Sequence, residues 1–162
     1  MPNWCENQLV IKADSKNKEA IKDMKRLKSL LDKTLQYYDD GNAHGLLGSI
    51  ISMPEVLKDT TRGKPYKLPS GDTVWWYEWC SDNWGTKWDV DCDLTIINKY
   101  RMEFEFNSAW APPIPWLEIV GRLFPNLFLC LTYDEPGACF RGCACGTGEI
   151  IDKYEEYEHE SE

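Results

Sequence analysis

Arg101-Met102-Glu103-Phe104-Glu105-Phe106 is the stretch that decides the fold. Met102, Phe104 and Phe106 fall on one side of an extended chain, and Arg101, Glu103 and Glu105 on the other. Strict period-two alternation marks a strand with one buried face, because successive side chains point to opposite sides of a sheet. Such sheets are antiparallel as a rule, with helices gathered on the covered side. Just upstream, residues 91–97 read as the partner strand, joined through a turn near Asn98-Lys99.

Towards the N-terminus, Leu9, Val10 and Ile11 within residues 7–13 predict a further strand. Asp14 or Ser15 is expected to cap the helix after it, with Glu19 as a capping-box partner. Ala20, Met24, Leu27 and Leu31 form one apolar stripe and predict a helix to about Lys33, with Lys22, Lys25, Arg26 and Lys28 on its other faces. Towards the C-terminus, Pro112-Pro113 opens a second helix whose buried side is read as Trp116, Ile119, Val120 and Leu123. Pro125-Asn126 stops it, and residues 127–133 read as a strand. Glu135-Pro136-Gly137 then turns the chain into a hairpin, with extended pieces around residues 139–145 and 149–154. The order matches the β-α-β-β-α-β pattern of a ferredoxin-like α+β sandwich, an antiparallel sheet with two helices on one face.

A chain of 162 residues suits one domain, placed here at residues 1–154. Residues 37–82 read as an insertion of loops and short helices. Within it, Asp39-Asp40-Gly41-Asn42 is a turn, residues 45–53 are small and apolar, and residues 54–57 suit one helical turn. Residues 60–71 read as an exposed loop, and residues 74–81 as a short helix rich in Trp. Residues 155–162 hold five Glu among eight and are expected to be disordered.

Net charge is −9, which opposes a broad nucleic-acid groove and an anionic membrane surface. It suits a partner with a basic surface. The N-terminus has neither a basic nor an apolar leader segment, and no apolar run approaches ~18 residues. A cytoplasmic location follows as an expectation, and with it seven cysteines kept largely reduced.

Four groups are candidate sites. Asp89, Asp91 and Asp93 alternate along one strand and Glu103 and Glu105 along its neighbour, forming either a fixed acidic patch or a solvated face guarded against aggregation. Trp75, Trp76 and Trp79 cannot all point inward from a short helix, so one is a candidate contact residue. Trp84 and Trp88 either present rings for stacking or plug the open end of the sheet. Cys139, Cys143 and Cys145 share strand parity and could bind a metal, with Cys130, Cys92 or His44 as a fourth ligand; otherwise they are small buried thiols. With His44 and His159 as the sole histidines, no Cys–His nucleophile is indicated. Residues 142–148 lack the context of a phosphate cradle, so no catalytic site and no cofactor are expected.

Three stretches look familiar together: Met1-Pro2-Asn3-Trp4-Cys5-Glu6-Asn7, Asn83-Trp84-Gly85-Thr86-Lys87-Trp88-Asp89, and Ser108-Ala109-Trp110-Ala111-Pro112-Pro113 leading into Trp116. With Tyr133-Asp134-Glu135-Pro136-Gly137, they resemble the YubB-like ferredoxin-fold family of phage, plasmid and bacterial proteins. The resemblance implies the fold and a mobile-element setting in a bacterial host, and no reaction. Joined to the acidic and aromatic surface, it leads to an expectation of a non-enzymatic inhibitor of a host defence complex, of anti-CRISPR or anti-restriction type. The alternatives are a small cysteine-based metal module, or a single-strand nucleic-acid binder using the sheet.

Overall fold

The alternating segment is an inner strand of a sheet that is covered on one face only. The computed structural model describes residues 1–37 and 43–159. In chain order these form β1 (Trp4–Lys12), α1 (Lys18–Thr34), β2 (Gln36–Tyr37), β3 (Ala43–His44), α2 (Leu46–Ile50), a 3-10 turn at Glu55–Leu57, β4 (Tyr66–Lys67) and β5 (Thr73–Val74). They continue as α3 (Trp76–Asn83), β6 (Asp91–Asn98), β7 (Arg101–Ala109), α4 (Ile114–Leu123), β8 (Phe128–Glu135), β9 (Phe140–Thr147) and β10 (Ile151–Glu156). The large sheet has the order β10-β9-β8-β1-β7-β6-β3-β2, and all its pairings are antiparallel. Its central four strands, β8-β1-β7-β6, with α1 and α4 make the ferredoxin-like unit, and hairpins extend both edges. The turn expected at residues 39–42 and the end of the acidic tail lie outside the described residues.

Inward side chains of β1, β7 and β8 meet the apolar stripe of α1 in one core. Leu9, Ile11, Met102, Phe104, Leu129 and Leu131 are buried there with Ala20, Met24, Leu27 and Leu31. Trp116 of α4 is wholly buried, and its indole Nε1–H donates to the Leu47 carbonyl at 3.0 Å, tying α4 to α2. Asp23 is a buried carboxylate on α1. It accepts from Arg26 at 2.7 Å and from the Asn126 backbone and side-chain N–H groups at 3.1 Å, which locks α1 to the turn before β8.

Several boundaries differ from the sequence reading. The α1 cap is Asn17, whose Oδ1 accepts from the Glu19 and Ala20 N–H groups at 3.0 and 3.3 Å. Asp14 instead holds a turn with Lys16 and Asn17, because the chain must first bend out of β1. The buried side of α4 is Trp116, Leu117, Val120 and Gly121, while Leu123 is 44% exposed. Residues 60–71 are mostly exposed, but they carry β4, which pairs with β5 in a small hairpin. Strand β10 runs on to Glu156, and the Tyr157 N–H donates to the Cys139 carbonyl at 2.8 Å, so the acidic tail starts as structure.

Trp116→Phe is expected to lower the unfolding free energy by about 0.5–1.5 kcal/mol from the lost hydrogen bond, since the Leu47 carbonyl keeps the Ile51 N–H at 3.0 Å. Leu123→Ala should change it by no more than about 0.5 kcal/mol. Urea denaturation of the two variants beside the parent checks both.

Candidate functional site on the open sheet face

With α1 and α4 on one face, the outward side chains of the large sheet stand uncovered on the other. The registers lay them out in rows. One row runs Asp93, Glu105, Gln8, Thr132, Cys143, Lys153 across β6, β7, β1, β8, β9 and β10. A second, nearer the start of β1, runs Asn107, Glu6, Asp134, Arg141, Glu155. A third, on the other side, runs Thr95, Glu103, Val10, Cys130, Cys145, Ile151.

The first two rows gather carboxylates at one end of the face. Asp93 lies directly opposite Glu105, and Glu6 opposite Asp134. Among the described residues no Lys or Arg lies within ion-pair distance of Asp93, Glu105 or Glu6. Asp91 is hydrogen-bonded to His44 Nδ1, and Asp134 accepts from the Tyr157 hydroxyl at 2.7 Å. Two open grooves run along these residues. One of about 620 Å³ is lined by Trp4, His44, Asp91, Asp93, Glu105 and Asn107, and one of about 400 Å³ includes Glu6, Gln8, Thr132 and Asp134. Trp4 stands at the rim with 47% of its surface exposed.

The structure separates what the sequence reading had joined. Asp91, Asp93 and Glu105 share the acidic end as expected, but Glu103 is turned to Arg101 at 2.6 Å. Asp89 precedes β6 and lines the wider groove, but its oxygens are taken up: they accept from the Leu47, Gly48 and Val90 N–H groups at 2.7–2.8 Å and hold the start of α2. Burial at that position pushes its carboxyl above the ordinary range, against the lowering effect of those bonds. Trp76 and Trp79 lie on α3 and Trp75 just before it, and none of the three lines either groove. Trp76 and Trp79 pack against the core, and Trp75 stacks on Tyr77 with ring centroids 5.3 Å apart. Trp84 is the plug, buried with its Nε1–H on the Ile51 carbonyl at 2.9 Å, whereas Trp88 is exposed under the Lys87 ammonium. Sequence reasoning missed Trp4, Glu6 and Asp134. Period-two parity could have placed Trp4 and Glu6 outward once Leu9 and Ile11 were taken as inward.

The cysteines divide into two sets. Cys5, Cys80 and Cys92 are buried, and burial pushes their thiols up to about 12, 11 and 12. Cys130, Cys143 and Cys145 come together on the outward face instead, with Cys130 and Cys145 joined as a disulfide. The expected trio of Cys139, Cys143 and Cys145 is therefore corrected. Cys139 lies in the β8–β9 turn at φ 57°, which breaks the strand parity that its even spacing suggested. Cys92 points into the core and His44 is held on β3, so neither joins the cluster.

The familiar motifs turn out to be neighbours. Trp4 pairs with Ala109, the Trp110 N–H donates to the Asn3 carbonyl, and Asn7 Nδ2 donates to Ser108 Oγ at 2.9 Å. The Thr86 hydroxyl donates to the Ala109 carbonyl at 2.8 Å, and Gly85, at φ +81°, packs on Pro115 where no side chain fits. The Glu135 carboxylate accepts from the Gly137 and Ala138 N–H groups and closes the β8–β9 turn. Together they build the end of the sheet that carries the carboxylates.

Residues 83–162 match the family model for the ferredoxin-like domain in Api92-like protein. The match starts within α3 and takes in β6 to β10, while β1 and α1 precede it. The crystal structure of protein api92 from Yersinia pseudotuberculosis is similar over 99% of this chain and 100% of that one, with a TM-score of 0.51 and 11% identity. At that identity the likeness is one of fold. No curated protein matches the chain. The Api92-like match overturns the YubB-like resemblance drawn from the motifs. Those motifs hold strand ends and turns together, and short structural signals of that kind do not separate families that share a fold. No helix among the described residues is long and apolar enough to cross a membrane.

Thiol labelling of the native protein at about pH 8, below the positions to which burial pushes Cys5, Cys80 and Cys92, should modify Cys139 and Cys143 and leave those three unmodified. Mild reduction should add Cys130 and Cys145. Peptide mapping of the alkylated protein reads both outcomes.

Proposed function

We propose that this chain works by binding, docking a partner with a basic surface on the acidic end of its open sheet face. The observation that carries this reading is the pair Asp93 and Glu105, like charges directly opposite on adjacent strands with no Lys or Arg within ion-pair distance among the described residues. Directly opposed like charges destabilise a sheet, so a chain that holds them there accepts a stability loss for something other than folding. Asp91, Glu6 and Asp134 widen the same patch across four strands, which focuses a negative potential over the two grooves. Trp4 at the rim supplies the kind of large, partly exposed ring that anchors interfaces. The carboxylates would speed encounter and fix register, and the ring would slow release.

A protein that itself holds nucleic acid is the natural bearer of a matching basic surface, as in the expected host defence complexes. The mobile-element setting of that expectation came with the overturned resemblance, and the binding reading does not depend on it. The other use of an uncovered ferredoxin-like sheet, binding single-stranded nucleic acid, is opposed by these same carboxylates.

Asp93→Asn is expected to raise stability by about 0.2–1 kcal/mol while weakening binding. Calorimetric titration with an oligolysine peptide should show binding that falls steeply with salt and drops about tenfold or more in Asp93→Asn/Glu105→Gln, as removal of unscreened charge requires. Preference for a single-stranded oligonucleotide, or peptide binding indifferent to both salt and substitution, would overturn the proposal.

A further inference from the structure

On the same face, away from the acidic end, lie the three half-buried sulfurs. Cys130 on β8 faces Cys145 on β9, with Cα atoms 4.2 Å apart, the close spacing of an antiparallel pair without hydrogen bonds between its members. Cys143 lies two residues back on β9, on the same side. Its Sγ is 3.0 Å from that of Cys145 and 3.6 Å from that of Cys130, and the three sulfurs all lie within 4.8 Å of one another.

The setting is not that of packing residues. On β9 the core side carries Phe140 and then small residues: Ala144 is wholly buried, and a side chain at Gly142 would run into the Tyr133 hydroxyl. All three thiols point the other way, off the core. Cys143 lines an open groove of about 460 Å³ together with Thr132, Arg141, Lys153 and Tyr154, so an ion reaches the cluster from that sulfur. Thiolates on zinc at about 2.3 Å from the metal lie about 3.8 Å apart in a tetrahedron, within reach of these sulfurs after small side-chain rotations. Lys153, opposite Cys143 in register, supplies positive charge beside a site that stays anionic when loaded.

We propose that, once reduced, Cys130, Cys143 and Cys145 form a three-thiolate site for a thiophilic d10 cation, Cu(I) or Zn(II). Reduction of the Cys130–Cys145 disulfide takes two electrons and two protons, both from a dithiol that becomes a disulfide, or electrons from a phosphine that becomes its oxide and protons from water; the thiol protons leave again as the sulfurs bind metal. Among the described residues no fourth His, Cys, Asp or Glu joins the cluster. Cu(I) is satisfied by three thiolates, and Zn(II) would keep a solvent ligand. Such an open site exchanges its ion, unlike the closed four-ligand sites that hold folds together. Oxidation to the disulfide removes two of the three ligands, so metal occupancy follows the redox state of this one pair.

The test uses the full chain, reduced with a phosphine under argon and titrated with Cu(I), and separately with Zn(II), against a chromogenic chelator. About one ion per chain is expected, with an ultraviolet thiolate–metal band that reaches longer wavelength for Cu(I) than for Zn(II). Cys130→Ser, Cys143→Ser and Cys145→Ser should each weaken binding at least roughly tenfold, the loss already known for groups that only support metal ligands. Cys139→Ser should bind as the parent does, as should any variant of the acidic end. Melting curves of the metal-free variants confirm that each is folded, and the oxidised parent should bind neither ion. Failure of the reduced parent to bind either ion would sink the proposal. So would equal binding by a folded Cys130→Ser/Cys143→Ser protein, or binding that depends on Cys139.

Discussion

Strand β1 is hydrogen-bonded on both edges, to β7 along its whole length and to β8 along most of it, and the rest of the molecule is arranged around that double pairing. Its inward residues Cys5, Leu9 and Ile11 are buried, and its outward residues Glu6 and Gln8 are exposed. A slip of one residue against either neighbour would exchange these sets, sending two carbon-rich side chains to water and a carboxylate into the core. The register is therefore held by burial, and the order of side chains on the uncovered face is a by-product of it. Carboxylates on β6 and β7 meet that of β1 because Leu9 must meet Phe104.

One-sided cover also explains how two unlike chemistries coexist on a single surface. Hard, charged oxygens gather at the end of the face built from Asp93, Glu105, Glu6 and Asp134, and soft sulfurs lie on β8 and β9 towards the other end. The uncharged Gln8, Thr132 and Val10 lie between most members of the two groups. The helices contribute nothing to either patch. Their work is to close the far side, with Trp116 and Asp23 acting as polar ties inside an otherwise apolar layer.

Much of this was legible from local pattern. The alternation at Met102, Phe104 and Phe106 and the stripe of Ala20, Met24, Leu27 and Leu31 carry their own burial, because periods of two and of 3.6 are local properties of the chain. The misreadings were of partners far away in sequence. Asn17 outcompeted Asp14 as a cap because of where β1 releases the chain. Asp89 looked like one of three alternating acids until the start of α2, more than forty residues earlier, took its carboxylate. Cys139 had the right spacing for the cysteine face, but a turn residue with positive φ intervened. Cys130 joined that face through a register that no local period reveals.

The position of β1 also bears on the order in which the chain can assemble. Its partners lie about a hundred residues downstream, as in the bond between Asn7 and Ser108, separated by 101 positions. This strand is made well before either partner and is thus among the last to be paired, and closing loops of that span slows folding. Until β7 and β8 are made, Leu9 and Ile11 have only α1 to shelter against. The nine Lys, Arg, Asp and Glu residues from Lys12 to Arg26 keep the waiting segment soluble in the meantime.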